Sequence, residues 1–245
     1  MRRFRVNVVR VPRLPAVAAA LAAALLAPPA SARPNLDPSG LGRLDRYDVL
    51  TFVDPAGHGI NRSKAIGVFD ATPDEIYRTA TDYEHLPEFA PRVSSSRVID
   101  RRGDAQAFVM LTARLPWPVS DAWVYAEFDH ERLGAGTYRI RFWQIRGTMR
   151  RYSGQLLIEP WSATRSAVTY ELLVEPDSIA PKGLLNAKLR DVASKYVHAL
   201  RQRINDLHRL GRLHPQAPPA PGLPSELTGP REPVMVEEVA KREHP

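Results

Sequence analysis

The chain has 245 residues, with 34 Lys and Arg against 27 Asp and Glu, and no cysteine. Without cysteine there is no disulfide framework, zinc-thiolate site, cysteine nucleophile or lipid-modified N-terminal cysteine. The formal charge of +7 is largely local: residues 1–32 hold five arginines and no acid, leaving 29 basic against 27 acidic residues beyond them, a balance that argues against an extended nucleic-acid surface.

In chain order, the first segment reads as an export leader. Arg2, Arg3, Arg5, Arg10 and Arg13 form a positive start, and an apolar run follows from Leu14 to Ala27. Pro28 and Pro29 then break the helix, and Ala30-Ser31-Ala32 supplies the small residues that a signal peptidase reads. The apolar run is about 14 residues, short of the roughly 20 that span a bilayer. Cleavage after Ala32 and a periplasmic or secreted location are therefore expected.

A strand is predicted over Asn61–Asp70. Thr72-Pro73-Asp74-Glu75 then starts a helix, with Thr72 as cap, proline at the first helical position and acids at the positive helix end. That helix runs to about Thr81, and a second short piece follows at Tyr83–Phe89. Period-two runs of β-branched and aromatic residues predict strands over Val93–Arg101, Ala105–Leu115, Asp121–His130, Thr137–Ile145, Arg150–Glu159 and Ala167–Glu175. The breaks at Arg102-Gly103-Asp104, Gly134-Ala135-Gly136 and Pro160 to Arg165 suit antiparallel hairpins.

From about Pro181 to Leu210, Leu185, Leu189, Val192, Tyr196, Leu200, Ile204 and Leu207 recur every three or four residues, which predicts one long amphipathic helix. Gly211 stands where its C-terminal cap would be. From His214 to Pro245 there are eight prolines and no apolar period, the composition of a disordered tail. The expected organisation is a leader (1–32), one α+β domain (33–213) and that tail (214–245). In the domain a curved antiparallel sheet must bury one face, and the C-terminal helix has the length and the stripe to cover it.

Several segments in this order resemble the START-like superfamily (also SRPBCC, or polyketide cyclase/coenzyme Q-binding) with its helix-grip fold. They are Gly67-Val68-Phe69-Asp70-Ala71-Thr72-Pro73-Asp74-Glu75-Ile76-Tyr77, the Asp82-Tyr83…Pro87-Glu88-Phe89-Ala90-Pro91 segment, Leu115-Pro116-Trp117-Pro118-Val119-Ser120-Asp121, and the Gly154–Pro160 and Thr169–Asp177 stretches. The resemblance spans about Asn61 to Leu207. It implies a cavity between the sheet and the C-terminal helix that holds a lipid, quinone, sterol or polyketide. It implies no particular reaction, since the superfamily mixes binders and enzymes. Ser120-Asp121 replaces an Arg-Asp pair frequent in the family, so no role attached to that arginine carries over.

No nucleophile elbow, HExxH motif or phosphate-cradling glycine loop is present, and the histidines lack metal-ligand spacing. Asp82-Tyr83-Glu84-His85 reads better as a capped corner than as an acid/base site. No metal, cofactor or nucleic-acid partner is expected. The candidate ligand-binding residues are Met110, Trp123, Tyr125, Phe142, Tyr152, Tyr170, Leu185 and Leu189, large apolar or amphipathic side chains that can line a cavity and offer a polar tip. The expected partner is a hydrophobic small molecule or lipid, with room for transient membrane contact. The function expected first is carrier or sensor. The rival is a cyclase- or hydrolase-like enzyme using polar groups such as Tyr152, Tyr170 or Asp121 in the same cavity.

Overall fold

The computed structural model describes residues 36–57, 59–115, 120–177 and 181–213. The expected leader and tail lie outside them. In chain order the elements are α1 (Pro38–Asp45), β1 (Leu50–Pro55), β2 (Asn61–Phe69), α2 (Pro73–Ala80), a 3-10 turn (Tyr83–His85), α3 (Leu86–Phe89), β3 (Val93–Arg102), β4 (Gln106–Ala113), β5 (Ala122–Gly134), β6 (Thr137–Gly147), β7 (Met149–Pro160), β8 (Ser166–Pro176), α4 (Lys182–Leu189) and α5 (Val192–Arg209).

The eight strands form one curved antiparallel sheet in the order β1-β2-β8-β7-β6-β5-β4-β3. β3 to β8 form a meander, and the early hairpin β1–β2 joins it through β8, with Ser63 opposite Leu172 and Phe69 opposite Ser166. This is the helix-grip arrangement expected from the sequence, with a longer N-terminal part.

α2 begins as the residues dictate. The Thr72 side chain accepts from the Glu75 backbone N–H, and the Glu75 carboxylate accepts from the Thr72 N–H at 2.8 Å. This reciprocal capping box satisfies two otherwise orphaned helix donors.

α5 buries Ala193, Val197, Leu200 and Ile204, one residue per turn, against the concave face of the sheet. It approaches β2 closely because Gly67 has no side chain: a Cβ there would lie 2.8 Å from both Val197 and Arg201.

Two local expectations are corrected. The predicted single C-terminal helix is broken at Arg190 and Asp191, where the Arg190 carbonyl accepts from the Ser63 hydroxyl at 2.8 Å. Ahead of the first predicted strand stand α1 and β1, which the sequence reading left out. β1 extends the sheet at its edge and α1 covers the convex side there, where Leu44 packs with Leu50, Ile66, Val68, Trp161 and Ala167. β2 is therefore buried on both faces, and its near-continuous apolar end, Ala65 to Phe69, reflects that.

Candidate functional site

Between the concave face and the helices lies a cavity of about 110 Å³. Its floor is the inward-facing half of β4 to β8: Leu111, Val124, Phe128, Phe142, Leu156 and Tyr170 all face it. Its roof is Leu189, Val192 and Tyr196 from α4 and α5, and Tyr83, Leu86 and Ala90 close it from the α2–α3 side. Small residues face the free space at intervals: Ala80 of α2, Ala90 after α3 and Ala113 of β4 put methyl groups where a larger side chain would fill the gap.

The cavity has a wet end and a sealed end. Pro91, Arg92, Ala113, Leu115, Leu189 and Val192 are only partly buried and mark a mouth at one end of the sheet. Arg92 is the single charged lining residue, held in a left-handed conformation at φ 67°.

Toward the sealed end, beyond Phe128 and Ile140, His130 bridges two tyrosines. The Tyr77 hydroxyl lies 3.0 Å from Nδ1, and the Tyr83 hydroxyl lies 2.7 Å from Nε2. The Tyr77 ring stacks on Tyr138 at 4.6 Å, and Tyr138 donates to Asp74. Burial, with help from the nearby Arg101 guanidinium, holds the His130 imidazole below its ordinary pKa. Neutral His130 donates from one nitrogen and accepts at the other, so it can serve both tyrosines at once.

The walls between these ends are aromatic. Phe128 and Phe142 stack at 5.4 Å, Phe142 and Tyr170 at 6.1 Å, and Tyr170 and Tyr196 at 4.3 Å. Tyr152 packs beside Phe142 at 5.3 Å. The Phe142 ring fits because Gly154 lies opposite it on β7: a Cβ there would come 2.5 Å from Phe142 and 2.1 Å from the Glu171 carbonyl.

The hydroxyls of Tyr152, Tyr170 and Tyr196 have no hydrogen-bond partner among the described residues. Burial pushes all three above the ordinary phenol range; Tyr170 would also feel a charge on Tyr152 or Tyr196, and Tyr196 one on Tyr152. They therefore stay protonated and offer donors to the cavity space. The site presents a ring-lined apolar space with three unmet polar tips.

Of the residues expected from sequence, Phe142, Tyr152, Tyr170 and Leu189 line this cavity. Met110, Trp123 and Tyr125 do not. They fall on the convex face, because Val109, Leu111, Val124 and Ala126 take the inward positions of β4 and β5 and period two sends their neighbours outward. Leu185 is buried elsewhere, against Ile60 and Leu173. Asp121 is exposed at the head of β5 and does not line the cavity. Tyr196, Tyr83 and Arg92 were not selected from sequence. Tyr196 lay on the predicted helix stripe, where it reads as ordinary packing, and nothing local marks Arg92. Among the described residues no group of acids and histidines could hold a metal ion, and no helix is long and apolar enough to cross a membrane.

The sequence matches no curated protein. Solved structures share the fold. A STAR-related lipid transfer protein fragment from Xanthomonas axonopodis superposes with a TM-score of 0.58 at 21% identity, over 64% of this chain and 93% of that one. Human STARD10 gives 0.58 at 15% identity, over 67% and 72%. The ZhuI aromatase/cyclase from Streptomyces sp. R1128 gives 0.51 at 12% identity, over 61% and 96%. Residues 69–201, more than half of the chain, match the family model described as polyketide cyclase / dehydrase and lipid transport, and with its helix-grip sheet and enclosed apolar cavity the chain belongs to that START-like family.

Proposed function

We propose that this protein is an exported carrier or sensor that sequesters a hydrophobic ligand and exchanges it by transient contact with a membrane. The carrying observation is the cavity: aromatic walls, one cation at the mouth, and inside it three hydroxyls with no hydrogen-bond partner among the described residues. Apolar burial contributes roughly 25 cal/mol per Å², so such a space favours a ligand that water dissolves poorly. The phenols hold and orient a ligand oxygen, and Arg92 meets a polar or anionic end at the mouth. The family and its fold neighbours include lipid-transfer proteins, which agrees with a holding role. Export rests on the leader sequence: five arginines, a short apolar run and the Ala30-Ser31-Ala32 site.

Native mass spectrometry of protein recovered from the periplasm of its own cells tests the reading. An intact lipid or quinone bound one-to-one is the expected result. A chemically processed product in the cavity favours the enzyme reading instead. If no ligand co-purifies and no hydrophobic probe is taken up, the proposal is wrong. The same spectra read the mature mass. A chain beginning at Arg33 is expected, and one beginning at Met1 in a membrane fraction removes the exported assignment.

A further inference from the structure

The convex face of the sheet is not uniform. At its sealed end the outward residues are interlocked by charge. Arg139 and Arg141 pair with Glu131, Arg141 with Asp129 at 2.7 Å, and Lys64 with Glu171 at 3.1 Å. At the mouth end β5 and β6 turn apolar, while Arg151 of β7 pairs with Glu175 of β8 at 2.6 Å. Trp123 is 41% exposed, Trp143 37% and Ile145 43%. Tyr125 and Met110 lie between them on β5 and β4. Farther along β4, the Phe108 ring is capped by the Arg102 guanidinium at 4.8 Å. Neither tryptophan has such a cover among the described residues.

Arginines flank this patch. Arg97 is opposite Met110, and Met110 is opposite Tyr125, whose other neighbour is Arg146, so one cross-strand row reads Arg-Met-Tyr-Arg. Arg114 stands at the end of β4 on the same side. None of these three guanidinium groups has a hydrogen-bond or ion-pair partner among the described residues. The acids nearby are Glu127, which accepts from Gln106 at 3.1 Å, and Asp121 at the head of β5. The patch reaches the rim of the cavity mouth at Arg114, which stands between the mouth residues Ala113 and Leu115 in the chain.

We infer that this mouth-end half of the convex face, centred on Trp123, Tyr125, Trp143 and Ile145 and flanked by Arg97, Arg114 and Arg146, is the surface that docks on an anionic lipid bilayer. Tryptophan and tyrosine settle at the headgroup level of a bilayer, with the ring in the apolar layer and the polar edge in the wet one. Unpaired arginines beside them meet lipid phosphates as bidentate donors without first giving up an acid partner. Docking here would hold the cavity mouth at the interface, the short path for a water-insoluble ligand. The inference extends the carrier reading, and its test is read separately from ligand binding.

The test uses full-length protein and sedimentation with vesicles of phosphatidylcholine alone or mixed with phosphatidylglycerol. Wild type is expected to bind the mixed vesicles more tightly, and less so as salt rises. Trp123→Ser with Trp143→Ser should weaken binding to the mixed vesicles by roughly tenfold or more. Arg97→Gln with Arg146→Gln should erase the preference for the anionic vesicles. Both double variants should keep the wild-type melting temperature and uptake of a fluorescent hydrophobic probe, because neither pair lines the cavity. If a variant fails to fold, quenching of wild-type tryptophan fluorescence by brominated lipid chains decides, and strong quenching is expected. No vesicle binding by wild type, or undiminished binding by folded Trp variants, overturns the inference. So does a wild-type dimer that the Trp variants abolish, since the face would then be an interface between copies.

Discussion

Tyr170 shows how one atom separates storage of a ligand from stability of the fold. Its ring is stacked between Phe142 and Tyr196, while its hydroxyl has no partner among the described residues. Tyr170→Phe keeps the ring and removes the unmet donor. Denaturant unfolding should find the variant as stable as wild type, or up to about 1 kcal/mol more stable. Affinity for a ligand bearing a carbonyl or hydroxyl should fall by roughly five- to tenfold, one lost hydrogen bond, while a plain hydrocarbon probe binds as before. His130 makes the opposite kind of contribution. Its folded pKa is held down by burial, so as pH falls through about 6.5 the unfolded chain takes up a proton that the folded chain refuses. Stability therefore declines below that pH until His130 also titrates. His130→Gln should flatten the decline, read as the difference between the two melting-temperature profiles across that window. Identical profiles would show that His130 is not the group responsible. Residue faces were partly legible in sequence: period two over Ala105–Leu115 puts Val109 and Leu111 on one face, and both are buried in the core. Trp123 was expected in the cavity for its size, whereas the hollow interior takes small inward residues such as Ala80, Ala90 and Ala113.

Among the elements, α4 is lightly held. It fully buries one side chain, Leu185, and packs Leu189 half-buried on the core; its other ties are polar. The Asn186 side chain accepts from the Asn61 N–H and donates to the Gly59 carbonyl, both at 3.0 Å. The cavity beneath, at about 110 Å³, is smaller than the roughly 150 Å³ of a site that takes a benzene ring. A ligand with a chain or several rings can enter only if part of the roof gives way, and the break at Arg190 and Asp191 is where it can. Asn186→Ala should raise hydrogen exchange across residues 182–191 and speed both uptake and release of a lipid-like probe, with protection in α5 unchanged. Equal exchange rates would show that Asn186 does not set the opening. Gly67 tests the opposite boundary. Gly67→Val drives a branched side chain into Val197 and Arg201, and overpacking of this kind costs roughly 1–3 kcal/mol, measurable by urea unfolding. The helix break was hidden in sequence because the apolar stripe runs unbroken from Leu185 to Leu207. What divides it is the hydrogen bond from Ser63, far away in sequence. α1 was hidden for a different reason: Pro38 and its cap Asp37 announce a start, but Gly40 and Gly42 weaken the helix signal that should follow.

At the scale of the whole molecule, the meander and the capping box at Thr72 were legible because each depends on neighbours in sequence. The cavity was not legible from the residues themselves, because a void is a property of no single residue; only the family resemblance implied it. The pairing of β2 with β8 was not legible either, and it has a consequence for how the chain comes into being. Ser63 meets Leu172 across the sheet, so β2 waits for more than a hundred residues of chain before its partner exists. Until then, the apolar residues of β2 and the free edge of β7 remain open to solvent and to other chains. Non-local pairings of this kind slow folding, since the long loop must close before any contact rewards it. The N-terminal hairpin is made first and secured last. A nascent or translocating chain is therefore kept from completing its sheet until Pro176 has emerged, and α4 and α5 can close the roof only after that.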